Sequence, residues 1–119
     1  MGNRELGRFG EERAARYLRL RGYRIVETNY TCRAGEIDLI ACRGRYIVFV
    51  EVKLRKNAVF AEAREFVTAA KQQRIRTTAA IWLSQNETDL QPRFDVIEIY
   101  APQGAEGRIT VNHIENAFE

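Results

Sequence analysis

The chain of 119 residues has little of what staples, anchors or metal-loads a domain. Its two cysteines, Cys32 and Cys42, stand in no metal-type spacing, so free thiols and a cytoplasmic compartment are expected. The single histidine, His113, has no second histidine or cysteine cluster beside it and reads as structural rather than as a ligand. Long apolar runs are missing. The start, MGNRELGRFGEE, lacks the core of a signal peptide, and no later run is long enough to span a bilayer, so no membrane partner is expected. The opening Met-Gly is not a myristoylation signal, because Glu5 and Leu6 do not complete it. Repeats, low-complexity tracts and linkers are also absent. The expectation is one domain over residues 1–119.

A hydrophobic share of 45% can fill a core without staples. The net charge of +3 is only mildly basic. The base is mostly arginine, whose fork suits phosphate and carboxylate, although genome composition accounts for that bias equally well.

Residues 4–21 predict a helix. Leu6, Phe9, Gly10, Ala14, Tyr17, Leu18 and Leu20 share one broad arc, Arg13 interrupts it, and Gly22 follows as a left-handed stop. Tyr23–Thr28 reads as a strand and 29–34 as a polar connection. Gly35–Arg55, GEIDLIACRGRYIVFVEVKLR, reads as two strands joined by a tight turn at Arg43-Gly44. Residues 55–66 read as a loop leading into a helix. Thr68 is suited to cap a second helix running to about Ser84, with Ile75, Thr78, Ala79, Trp82 and Leu83 inward. A polar loop, a strand at 94–100, a turn at 101–107 and an edge strand at 109–114 complete the chain. The order αβββαββ predicts an α/β fold: a five-stranded mixed sheet flanked by helices.

Strand alternation concentrates charge at one end of the hairpin. Ile47, Phe49, Glu51 and Lys53 share a face, as do Glu36, Asp38 and Ile40, whereas Ile37, Leu39 and Ala41 face the other way. Antiparallel pairing brings Glu36 and Asp38 near Glu51 and Lys53. Burying such charge is costly without compensation, and a divalent metal supplies it. Asp38 and Glu51 are the candidate Mg²⁺ or Mn²⁺ ligands, with the backbone carbonyl of Val52 as a third oxygen. Lys53 can position an attacking water or stabilise charge on a phosphate. Glu11, at the edge of the apolar arc, can reach the same corner as a further candidate ligand. Lys71 and Gln72, in the first turn of the second helix, face it as accessory groups. Arg55, Lys56 and Arg64, interspersed with Phe60 and Phe66, are candidate nucleic-acid contacts.

Asp38 with Glu51-Val52-Lys53 resembles the PD-(D/E)XK nuclease signature, with Ile37 in place of the proline. More broadly, the chain resembles the YraN family of uncharacterised bacterial proteins, itself similar to Holliday junction resolvases. The resemblance is carried by Gly7, Gly10-Glu11, Ala14, Tyr17-Leu18, Gly22-Tyr23, Asn29-Tyr30, GEIDLIA, FVEVK with Arg55, Val67 with Lys71, RFDVI and Asn116-Ala117-Phe118. It implies a restriction-endonuclease-like core, metal ligands at Asp38 and Glu51, and a catalytic lysine at Lys53. Glu11 matches the first-helix glutamate that resolvase-like members place near the metal, and Glu36 matches the family's GEID. Lys71 falls where many members carry an accessory lysine or glutamine. The chain departs at Ala61, where the family is expected to have glycine.

The expected activity is Mg²⁺-dependent endonuclease cleavage of phosphodiester bonds in DNA, branched or structured forms included, by a homodimer on the analogy of resolvases. The alternatives are a nucleic-acid-binding module that keeps the fold without catalysis, and a scaffold whose acids and Lys53 form a salt-bridge network.

Overall fold

The computed structural model describes residues 3–55 and 67–119. Helix α1 spans Asn3–Leu20, followed by strands β1 (Arg24–Cys32), β2 (Gly35–Arg43) and β3 (Tyr46–Arg55). Helix α2 spans Ala69–Gln85; β4 (Gln91–Tyr100), a 3₁₀ turn at Gly104–Glu106 and β5 (Thr110–Phe118) complete the chain. The strands lie in one five-stranded sheet in the order β1-β2-β3-β4-β5. Every neighbouring pair is antiparallel except β3 and β4, which are parallel. The predicted mixed sheet and element order are therefore observed. Among the described residues, no helix is long and apolar enough to cross a membrane.

The helix ends follow from local chemistry. Gly22 adopts φ +88, which places the Tyr23 N–H 2.9 Å from the Leu18 carbonyl and the Gly22 N–H 3.1 Å from that of Arg19. This Schellman pattern satisfies carbonyls that α1 would otherwise orphan. At the start of α2, Thr68 Oγ1 accepts from the Lys71 N–H at 3.2 Å.

Each helix covers one sheet face. Ala14, Ala15 and Leu18 of α1 pack on Leu39, Ala41, Val48, Val50, Ile97 and Ile99. On the other face Ile75, Ala79 and Trp82 of α2 pack on Ile40, Ile47, Phe49 and Val96. Val52 and Leu54 join the first cluster, so strand alternation puts Glu51 and Lys53 on the α2 side. Ile37 breaks the expected alternation and packs with the α2 cluster. The β2–β3 pairing stops at Leu39↔Val50, so the first residues of β2 are free to turn away from β3.

Several boundaries differ from expectation. β1 runs to Cys32, leaving only Arg33 and Ala34 to turn into β2. Asn29, at φ 51, lets the polar stretch remain in the strand by taking a left-handed conformation that asparagine tolerates. The β2–β3 turn is Gly44-Arg45, one residue later than predicted, with Gly44 at φ 58. β4 begins at Gln91 and contains Pro92. The Gln91 N–H bonds to Arg45 on the β3 side, so the missing N–H of Pro92 falls on the β5 side, outside the pairing that starts at Phe94↔Phe118. β5 extends to Phe118 because Asn116, at φ 51, absorbs a register shift as a bulge.

Candidate metal centre

The open end of the β2–β3 hairpin gathers the acids. Past Leu39↔Val50 the ladder is replaced by a side chain: Asp38 Oδ2 accepts the Val52 N–H at 2.8 Å. Gly35 lets α2 approach closely, since a Cβ there would sit 3.1 Å from Thr78 Oγ1. The resulting pocket, of about 200 Å³, is lined by Gly35, Glu36, Asp38, Glu51, Lys71, Arg74 and Ile75.

From the opposite face α1 contributes Glu11. Gly10 lies against Val52 and Leu54, which brings the following residue to the sheet end. Ligand oxygens of Glu11, Glu36 and Asp38 all lie within 4.8 Å of one another. The Asn29 amide, oriented to donate, reaches Glu11 Oε1 at 2.7 Å and Oε2 at 3.2 Å. Thr31 Oγ1 donates to Glu36 at 3.3 Å.

This crowding shows in proton affinity. Burial first, then the neighbouring Glu51, and more weakly Glu11 and Glu36, raise the Asp38 carboxyl to about 7 against the pull of the Val52 N–H. Glu11 is also raised, by burial first and then by Glu36 and Glu51, with Asn29 opposing. A set of hard oxygen donors in which Asp38 holds its proton to near neutral pH is short of positive charge. That donor set fits Mg²⁺, Mn²⁺ or Ca²⁺ and does not suit a thiophilic metal.

The predicted residues do not all converge in the same way. Glu51 lines the pocket, but its carboxylate forms an ion pair with Lys71 rather than joining the close acid trio. Lys53 is half-buried on β3, in register with Glu98, and its ammonium makes no hydrogen bond or ion pair among the described residues. Gln72 turns away, its amide donating to the Val67 carbonyl at 2.9 Å. Arg55 pairs through Nε with the buried Glu98 at 2.9 Å, so a structural anion engages this candidate nucleic-acid contact. Glu98 also accepts from Asn112 at 3.0 Å. Lys56, Phe60, Ala61, Arg64 and Phe66 lie outside the described residues.

Two participants were missed from sequence. Arg74 lines the pocket one helical turn after Lys71, a spacing that could have revealed it. Asn29, left-handed at φ 51, holds Glu11 through its amide.

A family model described as the uncharacterised protein family UPF0102 matches residues 10–99. The chain belongs to this family. A UPF0102 protein of Alkaliphilus oremlandii is 44% identical over 119 residues, covering 98% of this chain and 99% of the relative. Another, from Caldanaerobacter subterraneus subsp. tengcongensis, is 46% identical over 114 residues, covering 95% and 93%. A third, from Symbiobacterium thermophilum, is 44% identical over 117 residues, covering 98% of each chain. The family match spans α1 from Gly10 through β4 to Ile99, and so contains every acid of the pocket.

Proposed function

We propose that this UPF0102 protein is a Mg²⁺- or Mn²⁺-dependent endonuclease that hydrolyses phosphodiester bonds in DNA, with branched or structured DNA as the first substrates to test. The observation that carries this reading is the convergence of Glu11, Glu36 and Asp38, from two elements, beside Glu51 and Lys71. The resemblance of Asp38 and Glu51-Val52-Lys53 to the PD-(D/E)XK signature supports it.

Asp38 and Glu11 would hold the ion, with Glu36 and Glu51 completing the anionic wall. The Val52 N–H already faces Asp38. In an extended strand the carbonyl of the same residue leaves by the same edge, so Val52 can offer its oxygen there. A bound divalent ion supplies Lewis acidity toward a phosphoryl oxygen and a more acidic water. The rest falls to the chain. Glu51 can orient the attacking water and accept its proton. Lys53, on the Glu51 side of β3, offers an ammonium to charge developing on phosphate. Lys71 and Arg74 line the pocket wall and can receive the flanking phosphates.

The test is cleavage of linear, flapped and four-way DNA in Mg²⁺ or Mn²⁺ by the purified protein, beside Asp38→Asn and Lys53→Ala. Loss of cutting in both variants is expected. Cutting that survives both would reveal a contaminant and end the assignment.

The Lys71–Glu51 pair favours one competing reading: a nucleic-acid-binding module whose acids are already balanced by cations. That module would bind DNA with a steep salt dependence and show no metal-dependent turnover.

A further inference from the structure

The other end of the hairpin carries an assembly that the acidic pocket does not use. Guanidinium and phenol groups alternate there in a ladder. Arg43 lies over the Tyr23 ring at 5.4 Å, and Arg93 lies between Tyr23 at 6.0 Å and Tyr46 at 4.8 Å. Arg45 closes the stack over Tyr46 at 5.3 Å. The central rung is fixed from below. Asp95, fully buried, receives Arg93 through Nε at 2.9 Å and Nη2 at 2.8 Å, and Arg93 donates to the Tyr23 hydroxyl at 2.7 Å.

The terminal rungs differ from the centre. Arg43 and Arg45 are exposed, flank the Gly44 turn and have no carboxylate partner among the described residues. Beside the ladder opens a cleft of about 910 Å³ walled by Arg45, Tyr46, Gln91 and Arg93. Phe94 and Phe118 stack beneath it at 5.2 Å. Glu115, 3.9 Å from Arg93, and Glu119 also line the cleft.

We propose that this end of the sheet is a second nucleic-acid contact, in which Arg43 and Arg45 grip backbone phosphates and the cleft receives an unpaired base. The inference rests on the reading that the protein acts on DNA, and it assigns that DNA a second point of attachment. A guanidinium held over a tyrosine ring still has N–H groups to offer a phosphate, Arg45 after donating through Nη2 to the Tyr46 hydroxyl at 3.3 Å. Aromatic walls take any base by stacking, and the Gln91 amide can meet a base edge. Tyr46 and Glu51 are five steps apart along β3, which is roughly 17 Å at about 3.3 Å per residue. A strand held at the ladder therefore reaches the acidic pocket only after several nucleotides, which favours substrates with an unpaired segment next to a duplex.

Binding is measured by fluorescence anisotropy in EDTA, in an Asp38→Asn background, with labelled single-stranded and blunt duplex oligonucleotides over a salt series. Arg43→Ala/Arg45→Ala, on an exposed turn, should weaken binding and make the log–log salt slope less negative by about 1–2. Tyr46→Leu should weaken single-strand binding by at least about fivefold and blunt-duplex binding less. Arg19→Ala, an exposed arginine on α1, should change neither slope nor preference. The proposal is overturned if the double variant matches wild type, if its loss only equals that of Arg19→Ala, or if wild type binds neither oligonucleotide. The two readings fail separately. Ladder-dependent binding without any cleavage would leave this contact standing and remove the nuclease. Cleavage with unaltered binding in the ladder variants would do the reverse.

Discussion

Asp38 accepts the Val52 N–H yet sits among three other carboxylates, so its charged form is both wanted and penalised. The penalty wins, raising the carboxyl to about 7 from an ordinary 3.8. The sign of the consequence is fixed by linkage. Between these values the folded state holds a proton that the unfolded chain has released, so this residue's contribution to stability falls as pH rises from about 4 to about 7. Thermal melts in EDTA across that range should show the fall, and Asp38→Asn, whose amide oxygen still accepts from Val52, should flatten it. An unchanged slope in the variant would mean that another group titrates.

Asn29 is the second residue-scale case. Asn29→Ala should lose the bonds to Glu11 and add the cost of φ 51, about 1–2 kcal/mol together. Asn29→Gly removes the amide but not the backbone freedom. Comparing the two by chemical denaturation, and by Mn²⁺ titration, separates strain from the hold on Glu11. Equal metal affinity in both variants and wild type would show that the amide positions nothing. Glu51 was legible because alternation along β3 fixes its face, and Asp38 because antiparallel pairing carries the start of β2 to the end of β3; Lys53 shares the Glu51 side of β3 but does not line the pocket. Asn29 was not legible, because a left-handed residue inside a strand leaves no periodic trace. Nor was the Glu51–Lys71 pairing, since sequence shows that charges meet but not which partner each one takes.

At the scale of elements, the hairpin and α2 were readable from turn residues, capping and alternation. The second half of β5 was hidden by what Asp95 does. Its carboxylate accepts from Arg93, from His113 Nε2 at 2.7 Å and from the Asn116 N–H at 3.0 Å, so it replaces a ladder bond at the bulge. His113 turns its other ring nitrogen to the Tyr17 hydroxyl at 3.2 Å, tying β5 to α1. Burial works to raise the Asp95 carboxyl, but the bonds from His113, Arg93 and Asn116 outweigh it and hold it below the usual range. Its stabilising contribution is therefore present above the ordinary carboxylate pKa and lost only in acid. Asp95→Ala strands a half-buried guanidinium and should destabilise by about 3–5 kcal/mol in urea unfolding. A loss under 1 kcal/mol, within the range of an exposed pair, would show that solvent already satisfies the cluster.

For the whole molecule, the decisive quantity is the response to a divalent ion. Two descriptions of the acidic corner compete. In one, Lys71 and Arg74 already balance the carboxylates; in the other, the corner is short of positive charge until an ion arrives. Sequence could not separate them, because both use the same residues. Coupling differs between them. A true site stabilises the fold by mass action, about 2.7 kcal/mol at a hundredfold excess over the dissociation constant, which is on the order of a 10 °C rise in Tm for a domain of this size. Mg²⁺ and Mn²⁺ should each raise Tm in a saturable way, more at pH 8 than at pH 5, because at the lower pH the ion must displace the Asp38 proton. Asp38→Asn and Glu11→Gln should each reduce the rise, while Arg43→Ala/Arg45→Ala, at the far end of the hairpin, should leave it intact. A balanced network behaves differently: salt and Mg²⁺ at equal ionic strength would shift Tm alike, with no dependence on Asp38. That outcome would remove the metal centre, and the nuclease with it, while leaving the fold and the arginine–tyrosine ladder as they are.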